Sequence, residues 1–114
     1  MIKVNLSGHP VVGFEIAPLK GVNLEVGTGS ALEAQIKGVL LALPCVEALK
    51  AGEAAEVVLP GMASACGVVL AAWHGLFGSF PTIRWSVKGA SGFEWPESAS
   101  SDLAVLRTSA RTWR

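Results

Sequence analysis

The sequence predicts an α/β fold in which a small, mostly parallel or mixed sheet is covered by helices. Short apolar runs alternate with helical patterns along the chain, and this alternation is typical of sheets built with right-handed crossovers. Two of the runs end in glycine turns, at Ser7-Gly8 and at Pro60-Gly61. The 114 residues match the commonest size of one domain, so we expect a single domain over residues 1–114.

The first strand is predicted over residues 2–6, where apolar and polar side chains alternate. Residues 11–16 and 22–26 are further extended-looking runs, separated by Pro18 and Gly21. They are compatible with a hairpin that returns the chain to the edge of the sheet it left. The pattern leaves open whether this hairpin pairs with the sheet.

The first helix is predicted to start at Ala31. Ser30-Ala31-Leu32-Glu33 matches the capping box, in which the serine caps a backbone N–H group and the glutamate bonds back to the serine's own N–H. The apolar residues that follow lie on one helical stripe until Pro44, which ends or kinks the helix. A short helical turn is expected over Val46–Lys50.

The segment Glu56–Leu59 is predicted to be a buried strand, and the helix after it, Met62–His74, contains no Asp, Glu, Lys or Arg. We expect this helix to be buried on all sides. Ala63, Gly67 and Ala71 recur in it every four residues and form a ridge of minimal side chains. Close packing in the core is the favoured interpretation of that ridge.

The remaining elements are a strand over Thr82–Lys88, a turn over Gly89–Gly92 and at most an edge strand over Phe93–Trp95. The final helix is expected to be capped by Ser100 or Ser101. It carries one apolar face with a stripe of arginines beside it, which we expect to be solvated. These residues are Leu103, Leu106, Ala110 and Trp113, and Arg107, Arg111 and Arg114.

The composition limits the class of partner. Hydrophobic residues make up 51% and charged residues 16%, which argues against disorder and favours a homo-oligomer that covers some apolar surface. Nine basic and nine acidic residues give a net charge of zero, so the electrostatic footprint of a protein that tracks long nucleic acid is missing. A small, compact anion is not excluded.

The sequence predicts a cytoplasmic protein without a membrane segment or a metal. It begins without the basic and apolar regions of a signal peptide, and no apolar run approaches the roughly 20 residues that span a bilayer. Cys45 and Cys66 have neither metal-ligand spacing nor the density of a disulfide scaffold. We expect two reduced, buried thiols and no cofactor.

The first candidate site follows the first strand and consists of Asn5, Ser7, Gly8 and His9. Asparagine and serine can form hydrogen bonds with a base, a ribose or a phosphate. Gly8 has no side chain that would block the approach of a ligand. Histidine can donate to a phosphate or take a proton near neutral pH. The alternative is a plain turn before Pro10 with an exposed histidine.

The second candidate is the turn that starts the charge-free helix, because unpaired N–H groups at a helix start form an anion site. Its residues are Gly61, Met62, Ala63 and Ser64. A helix start without a ligand gives the same pattern. Thr28, in the glycine-rich entry to the first helix, is a third candidate. Lys88 ends a strand and would face the same edge, although a solvated lysine is the commoner outcome.

The sequence contains no nucleophile elbow, no suggestive pair of acids and no cluster of metal ligands. If the protein is an enzyme, its catalysis therefore comes mainly from positioning. Positioning is sufficient for the cleavage of an RNA linkage in which the substrate's own 2′-hydroxyl attacks its phosphate.

Three segments of the chain resemble a known family. They are Val4-Asn5-Leu6-Ser7-Gly8-His9-Pro10, the turn Leu59-Pro60-Gly61, and His74-Gly75-Leu76-Phe77-Gly78-Ser79-Phe80-Pro81-Thr82-Ile83-Arg84-Trp85. Together they are similar to the small stand-alone CRISPR-associated Rossmann-fold (CARF) proteins of type III systems. The resemblance implies a small Rossmann-like fold and a homodimer that binds cyclic oligoadenylate, often cyclic tetra-adenylate, across its two-fold axis.

The resemblance also implies ligand contacts at Asn5–His9 and at Gly61–Ser64. Some members of the family cleave the ring without a metal, and others only sequester it. This chain has no clear catalytic lysine, arginine or tryptophan at the expected site, which argues against cleavage more than against binding. We expect Ser7 and His9 to contact phosphate, and His9 is the candidate general acid. The alternatives are an adaptor module that assembles through its apolar helix and an ordinary mononucleotide-binding enzyme.

Overall fold

The computed structural model describes residues 1–114. Its main sheet has four strands in the spatial order β1-β2-β3-β6, and the first three are parallel while β6 runs antiparallel to β3. Their bounds are Ile2–Asn5 (β1), Ala55–Val58 (β2), Thr82–Arg84 (β3) and Ser100–Asp102 (β6). The predicted fold class, a single α/β domain with a mostly parallel sheet flanked by helices, is confirmed.

Four helices and a separate hairpin complete the fold. The helices span Gly29–Leu41 (α1), Val46–Lys50 (α2), Ala63–Phe77 (α3) and Leu103–Ala110 (α4), with a single 3-10 turn over Arg111–Trp113. The hairpin pairs Val87–Gly89 (β4) with Gly92–Glu94 (β5). None of the helices combines the length and the apolar character needed to cross a membrane.

One face of the main sheet packs against α1 and α3. The register pairs Val4 with Val57, and both are fully buried in the same cluster as the inward residues of the two helices. The rings of Trp73 and Phe77 meet edge to face there, with centroids 4.8 Å apart. Because α1 and α3 each return the chain to the start of the next parallel strand, the carboxyl ends of β1, β2 and β3 all lie at the same edge of the sheet.

The opposite face of the sheet is covered by a loop instead of a helix. Val58 packs there against Val11 and Phe14, with Trp95 beside them. The Phe14 ring lies under two cationic groups, the ammonium of Lys3 at 5.5 Å and the guanidinium of Arg84 at 5.3 Å from its centroid. The segment around Phe14 therefore closes the face that α1 and α3 leave open.

The predicted hairpin over residues 11–26 is wrong. The segment pairs with the sheet only where Ile16 forms an isolated parallel bridge with Val4, and the Asn5 N–H donates to the Ile16 carbonyl at 2.8 Å. Gly13 and Gly21 adopt positive φ values of 87° and 71° and turn the chain out of the extended conformation. Its apolar side chains cover the sheet instead of extending it.

Both predicted helix caps are wrong. The cap of α1 is Thr28, whose extended backbone precedes the helix and whose Oγ1 accepts from the Ala31 N–H at 3.1 Å. Ser30 lies inside the first turn. The cap of α4 is Asp102, whose carboxylate accepts from the Val105 N–H at 3.1 Å. Ser100 is in β6, because pairing with β3 keeps it extended.

The predicted strand Thr82–Lys88 divides at Trp85, whose N–H donates to the Ala99 carbonyl at 3.1 Å. The residues before the break pair with β2 and β6, and those after it form the hairpin. The expectation that α3 is buried on all sides is also wrong. Its ridge at Ala63, Gly67 and Ala71 faces outward, because α1 and the sheet contact only the other side.

Candidate functional site

A cavity of about 360 Å³ lies at the carboxyl ends of the three parallel strands. Each strand contributes the residues that follow it: Ser7 and His9 after β1, Leu59–Gly61 after β2, and Trp85–Ser86 after β3. Cys66 and Trp95 also line the cavity, and Arg84 lies on its floor at the end of β3. This is the edge at which open α/β sheets bind ligands.

The loop after β1 is held in place by Asn5, which is fully buried. The Asn5 side-chain amide donates to the His9 carbonyl at 2.6 Å, and its oxygen accepts from the Ser7 N–H at 2.9 Å and from the Ser7 hydroxyl at 2.6 Å. The polar groups of Asn5 are therefore all used inside the chain. His9 is exposed beside the cavity, and its imidazole forms no hydrogen bond within the protein.

The turn after β2 leads into a helix start that has no cap. Met62 holds the extended conformation of a cap residue but supplies no side-chain hydrogen bond. The first backbone bond of α3 is donated by Cys66 to the Met62 carbonyl at 3.1 Å. The N–H groups of the first turn thus have no partner within the helix, and they follow Gly61, which is the last residue of this turn in the cavity wall.

Arg84, which lines the cavity, forms an ion pair with Glu56, which does not. Glu56 Oε2 accepts a hydrogen bond from Nε of Arg84 at 3.0 Å, and Nη2 of Arg84 lies 2.9 Å from the same oxygen. The side chains are only 11% and 7% exposed, so the guanidinium charge is neutralised inside the chain. Nη1 also donates to the Trp95 carbonyl at 3.4 Å, which links the Trp95 segment to the sheet.

Two tryptophans belong to the cavity wall. Trp85 is 45% exposed, and Trp95 is half-buried. The sequence pattern predicts both in strands and does not mark either as a site residue. The signal that could have identified Trp85 is an aromatic residue near the end of a strand in a sheet in which two other strands end in candidate site turns.

Cys66 lines the cavity with a protonated thiol. Its Sγ donates to the Pro60 carbonyl at 3.1 Å. Burial raises the pKa of this thiol above the ordinary value of 9.0, although a backbone hydrogen bond lowers it in part. At neutral pH Cys66 acts as a weak donor and not as a nucleophile.

The structure brings together only part of the predicted site. Ser7, His9 and Gly61 line the cavity, Gly8 is exposed between the first two, and Asn5 lies beneath their loop. The exposed residues Met62, Ala63 and Ser64 start α3 next to Gly61 but are not in the cavity wall. Thr28 caps α1 and Lys88 is exposed on β4, and neither lines the cavity.

Comparisons with known proteins identify no similar protein. No protein-family model, curated protein or solved structure matches this chain.

Proposed function

We propose that this protein binds cyclic oligoadenylate, with cyclic tetra-adenylate as the first candidate, and thereby lowers the free concentration of this signal in type III CRISPR defence. The observation that carries the proposal is a cavity at the carboxyl edge of the sheet that has two tryptophan side chains in its wall and an uncapped helix start next to it, just after Gly61. The resemblance of the chain's short motifs to CARF proteins supports the same ligand. In this proposal the protein acts in the cytoplasm.

The tryptophans in the wall and the helix start next to it match the two parts of a nucleotide. The free N–H groups at the start of α3 suit a phosphate, because they donate without bringing a mobile side chain. The tryptophans offer flat apolar surface for an adenine ring, since bases stack on aromatic side chains. Neutralisation of Arg84 by Glu56 means that phosphate recognition falls to the amides and to His9.

The size of the cavity supports the use of two copies for one ligand. A volume of about 360 Å³ is near the small end of ligand cavities, which suits one nucleotide unit better than a whole ring. A cyclic tetranucleotide with two-fold symmetry presents the same unit twice. Two copies related by the same axis would each hold one unit.

The exposed side of α3 is the surface that best fits such a homodimer. Ala63, Gly67, Ala71 and Gly75 are all exposed, and the helix contains no Asp, Glu, Lys or Arg. Small residues let two helix backbones approach closely. An axis parallel to the strands would pair the two α3 helices with both starts at one edge, so that both cavities would open to the same side.

Binding accounts for the site more fully than cleavage. In cleavage, a 2′-hydroxyl oxygen attacks the adjacent phosphorus, a 2′,3′-cyclic phosphate forms, and the 5′-oxygen leaves and takes a proton, while the hydroxyl proton passes to solvent. The Ser7 hydroxyl is engaged by Asn5 and Arg84 is paired, so His9 is the group that would protonate the leaving oxygen. Sequestration needs none of these steps.

The test is a mobility shift with labelled cyclic tetra-adenylate in the presence of a chelator, followed by analysis of the products. We expect a shift with the cyclic ligand, and about tenfold weaker binding for Trp85→Leu, since one stacking contact is worth about 1–3 kcal/mol. Phe93→Leu is the matched control, because Phe93 is 70% exposed and lies outside the cavity. The absence of any shift would refute the proposal.

The same experiment separates sequestration from cleavage. A shift without linear product identifies a protein that only sequesters the ligand. A linear product that disappears in His9→Ala while the shift persists identifies a ring nuclease with His9 as its general acid.

The exposed, charge-free side of α3 also favours a second candidate function, an adaptor that assembles with another protein. An adaptor predicts no nucleotide affinity and an oligomer that depends on the partner. A thermal-shift panel of cyclic and linear nucleotides discriminates between the two functions, because only a nucleotide-binding protein gains stability from these compounds.

A further inference from the structure

The last helix is almost entirely exposed. From Leu103 to Arg114, through α4 and the 3-10 turn, no residue is buried and ten of the twelve are exposed. Isolated helices shorter than about 12–15 residues are marginal in water, and most helices in proteins draw their stability from a packed face. This segment has little packing of that kind, so an occupant of its exposed side would stabilise it.

The zero net charge of the chain hides a separation of charge. Residues 103–114 contain three arginines and no acidic residue, whereas residues 1–102 contain six basic and nine acidic residues. Both ion pairs of the molecule, Lys50–Glu47 and Arg84–Glu56, lie elsewhere. Arg107, Arg111 and Arg114 are therefore unpaired, and together with Ala110 they line a shallow depression of about 310 Å³.

The three arginines form one strip along the helix. Arg107 lies in α4, Arg111 begins the 3-10 turn and Arg114 follows it, and the depression that all three line places them on one side of this segment. Arg107 and Arg111 are roughly 6 Å apart along the helix axis. Leu106 and Trp113 form an apolar strip next to the arginines, and they are 43% and 71% exposed. The arginine strip and the apolar strip lie side by side, and the surface that they form together is called the α4 surface.

We propose that the α4 surface is a second binding site, separate from the cavity, and that it takes a short stretch of single-stranded nucleic acid. The arginine strip contacts about three consecutive phosphates, and a base stacks on the Trp113 indole. Sites for single strands combine a cationic track with exposed aromatic side chains in this way. The charge is confined to one short helix, so the site is short as well.

The composition of the α4 surface favours a nucleic acid over an acidic protein. Guanidinium groups bind phosphate oxygens in pairs and also stack on bases, which an ammonium group does not do. The apolar strip consists of two side chains and is too small for a stable protein interface, which buries about 800 Å² on each partner. A single strand needs only phosphate contacts and one or two stacked bases.

The test measures the fluorescence anisotropy of labelled hexa-adenylate and hexa-uridylate RNA over a series of salt concentrations. Three phosphate contacts to a single strand predict a slope of log affinity against log salt of about −2. The triple variant Arg107→Gln, Arg111→Gln and Arg114→Gln should lose the binding. The single variant Arg111→Gln should flatten the slope by about 0.7. Lys37→Gln on the exposed side of α1 is the matched control and should bind like the wild type.

Trp113→Leu should weaken the binding of both RNAs roughly tenfold by removing the stacked base. Trp85→Leu should leave this binding unchanged, which separates the α4 surface from the cavity. Equal binding by the wild type and the triple variant would overturn the proposal. Displacement of the RNA by polyglutamate at equal charge would overturn it in favour of an acidic protein partner. The triple variant should still bind cyclic tetra-adenylate, so failure of either site is seen independently of the other.

Discussion

Asn5 is the residue on which the geometry of the cavity wall depends most directly. It is polar and fully buried, and its amide joins the end of β1 to Ser7 and to the His9 carbonyl. Buried polar groups of this kind fix a loop because every alternative arrangement leaves a donor or an acceptor unpaired. The position of His9 is thus set from beneath by a side chain that is inaccessible to a ligand.

Asn5→Ala should lower the free energy of unfolding by about 2 kcal/mol, because the His9 carbonyl and the Ser7 N–H lose their partner. Asn5→Asp should cost more, since a carboxylate oxygen would then face the His9 carbonyl. Urea denaturation measures both effects. Asn23→Ala, at an exposed asparagine, is the control and should change stability by less than about 0.5 kcal/mol. A neutral Asn5→Ala would contradict the role assigned to this residue.

The raised pKa of Cys66 makes stability depend on alkaline pH. Its stabilising contribution is fully present below the unfolded thiol value of 9.0 and is lost as the pH rises through the higher pKa of the folded state. The unfolding free energy of the wild type should therefore fall between pH 9 and pH 10 more steeply than that of Cys66→Ala. Urea denaturation at pH 7.5, 9 and 10 checks this, and parallel curves for the two proteins would contradict it.

Single residues also show how far the sequence predicts the site. Ser7, His9 and Gly61 were predictable because parallel strands place their carboxyl ends at one edge, and local turn signals mark where each strand ends. Trp95 was not predictable in this way. Trp95 is held at the cavity by two interactions with residues elsewhere in the sequence. Its carbonyl accepts a hydrogen bond from the Arg84 guanidinium, and its side chain packs against the cluster that contains Val58.

Among the elements, α3 serves two surfaces. Its inner side packs on the sheet and on α1, and its outer side carries a ridge that no part of the chain covers. Nothing in the chain comes within 4 Å of the position that a Cβ would take at Gly67 or Gly75. Glycine inside a helix is destabilising, so these residues suit the approach of a second backbone.

Gly67→Ala should raise the stability of the monomer by about 0.5–1 kcal/mol, because alanine is the better helix former and the site is open. The same variant, and Gly67→Leu more strongly, should weaken the proposed homodimer. Gly38→Ala in α1 is the matched control, since Gly38 is also exposed, helical and unobstructed. Sedimentation velocity over a range of concentrations reports the dimer. An unchanged dimer in Gly67→Leu would exclude this ridge as its interface.

The elements also differ in how well local pattern predicted them. The α1, α2, β1 and β2 segments follow apolar periodicity and are close to their predicted bounds. The break at Trp85 depends on a hydrogen bond to Ala99, and the extended conformation of Ser100 depends on pairing with Arg84. Neither interaction leaves a signal in the residues next to it, so pattern alone extended β3 too far and started α4 with the wrong cap.

For the whole molecule, a ligand shared by two copies couples binding to association. Saturating cyclic tetra-adenylate should convert the protein to a dimer with one ring for two chains. The ligand should also raise the free energy of unfolding, by an amount that increases with the concentration of the protein as well as with that of the ligand. Sedimentation equilibrium and calorimetric titration measure the stoichiometry. One ring for each chain, without a change in mass, would contradict the shared site.

The order of the strands has a consequence for how the protein is made. β1 is synthesised first, but the strand next to it in the sheet is β2. Ile2 therefore has no pairing partner until Ala55 has been synthesised. The cavity needs Trp85 and Trp95 in addition. Pairing between distant segments is slow because loop closure precedes any gain from contact. A nascent or truncated chain that ends before Trp95 therefore lacks a complete pocket, so the proposed ligand binding requires synthesis at least through Trp95.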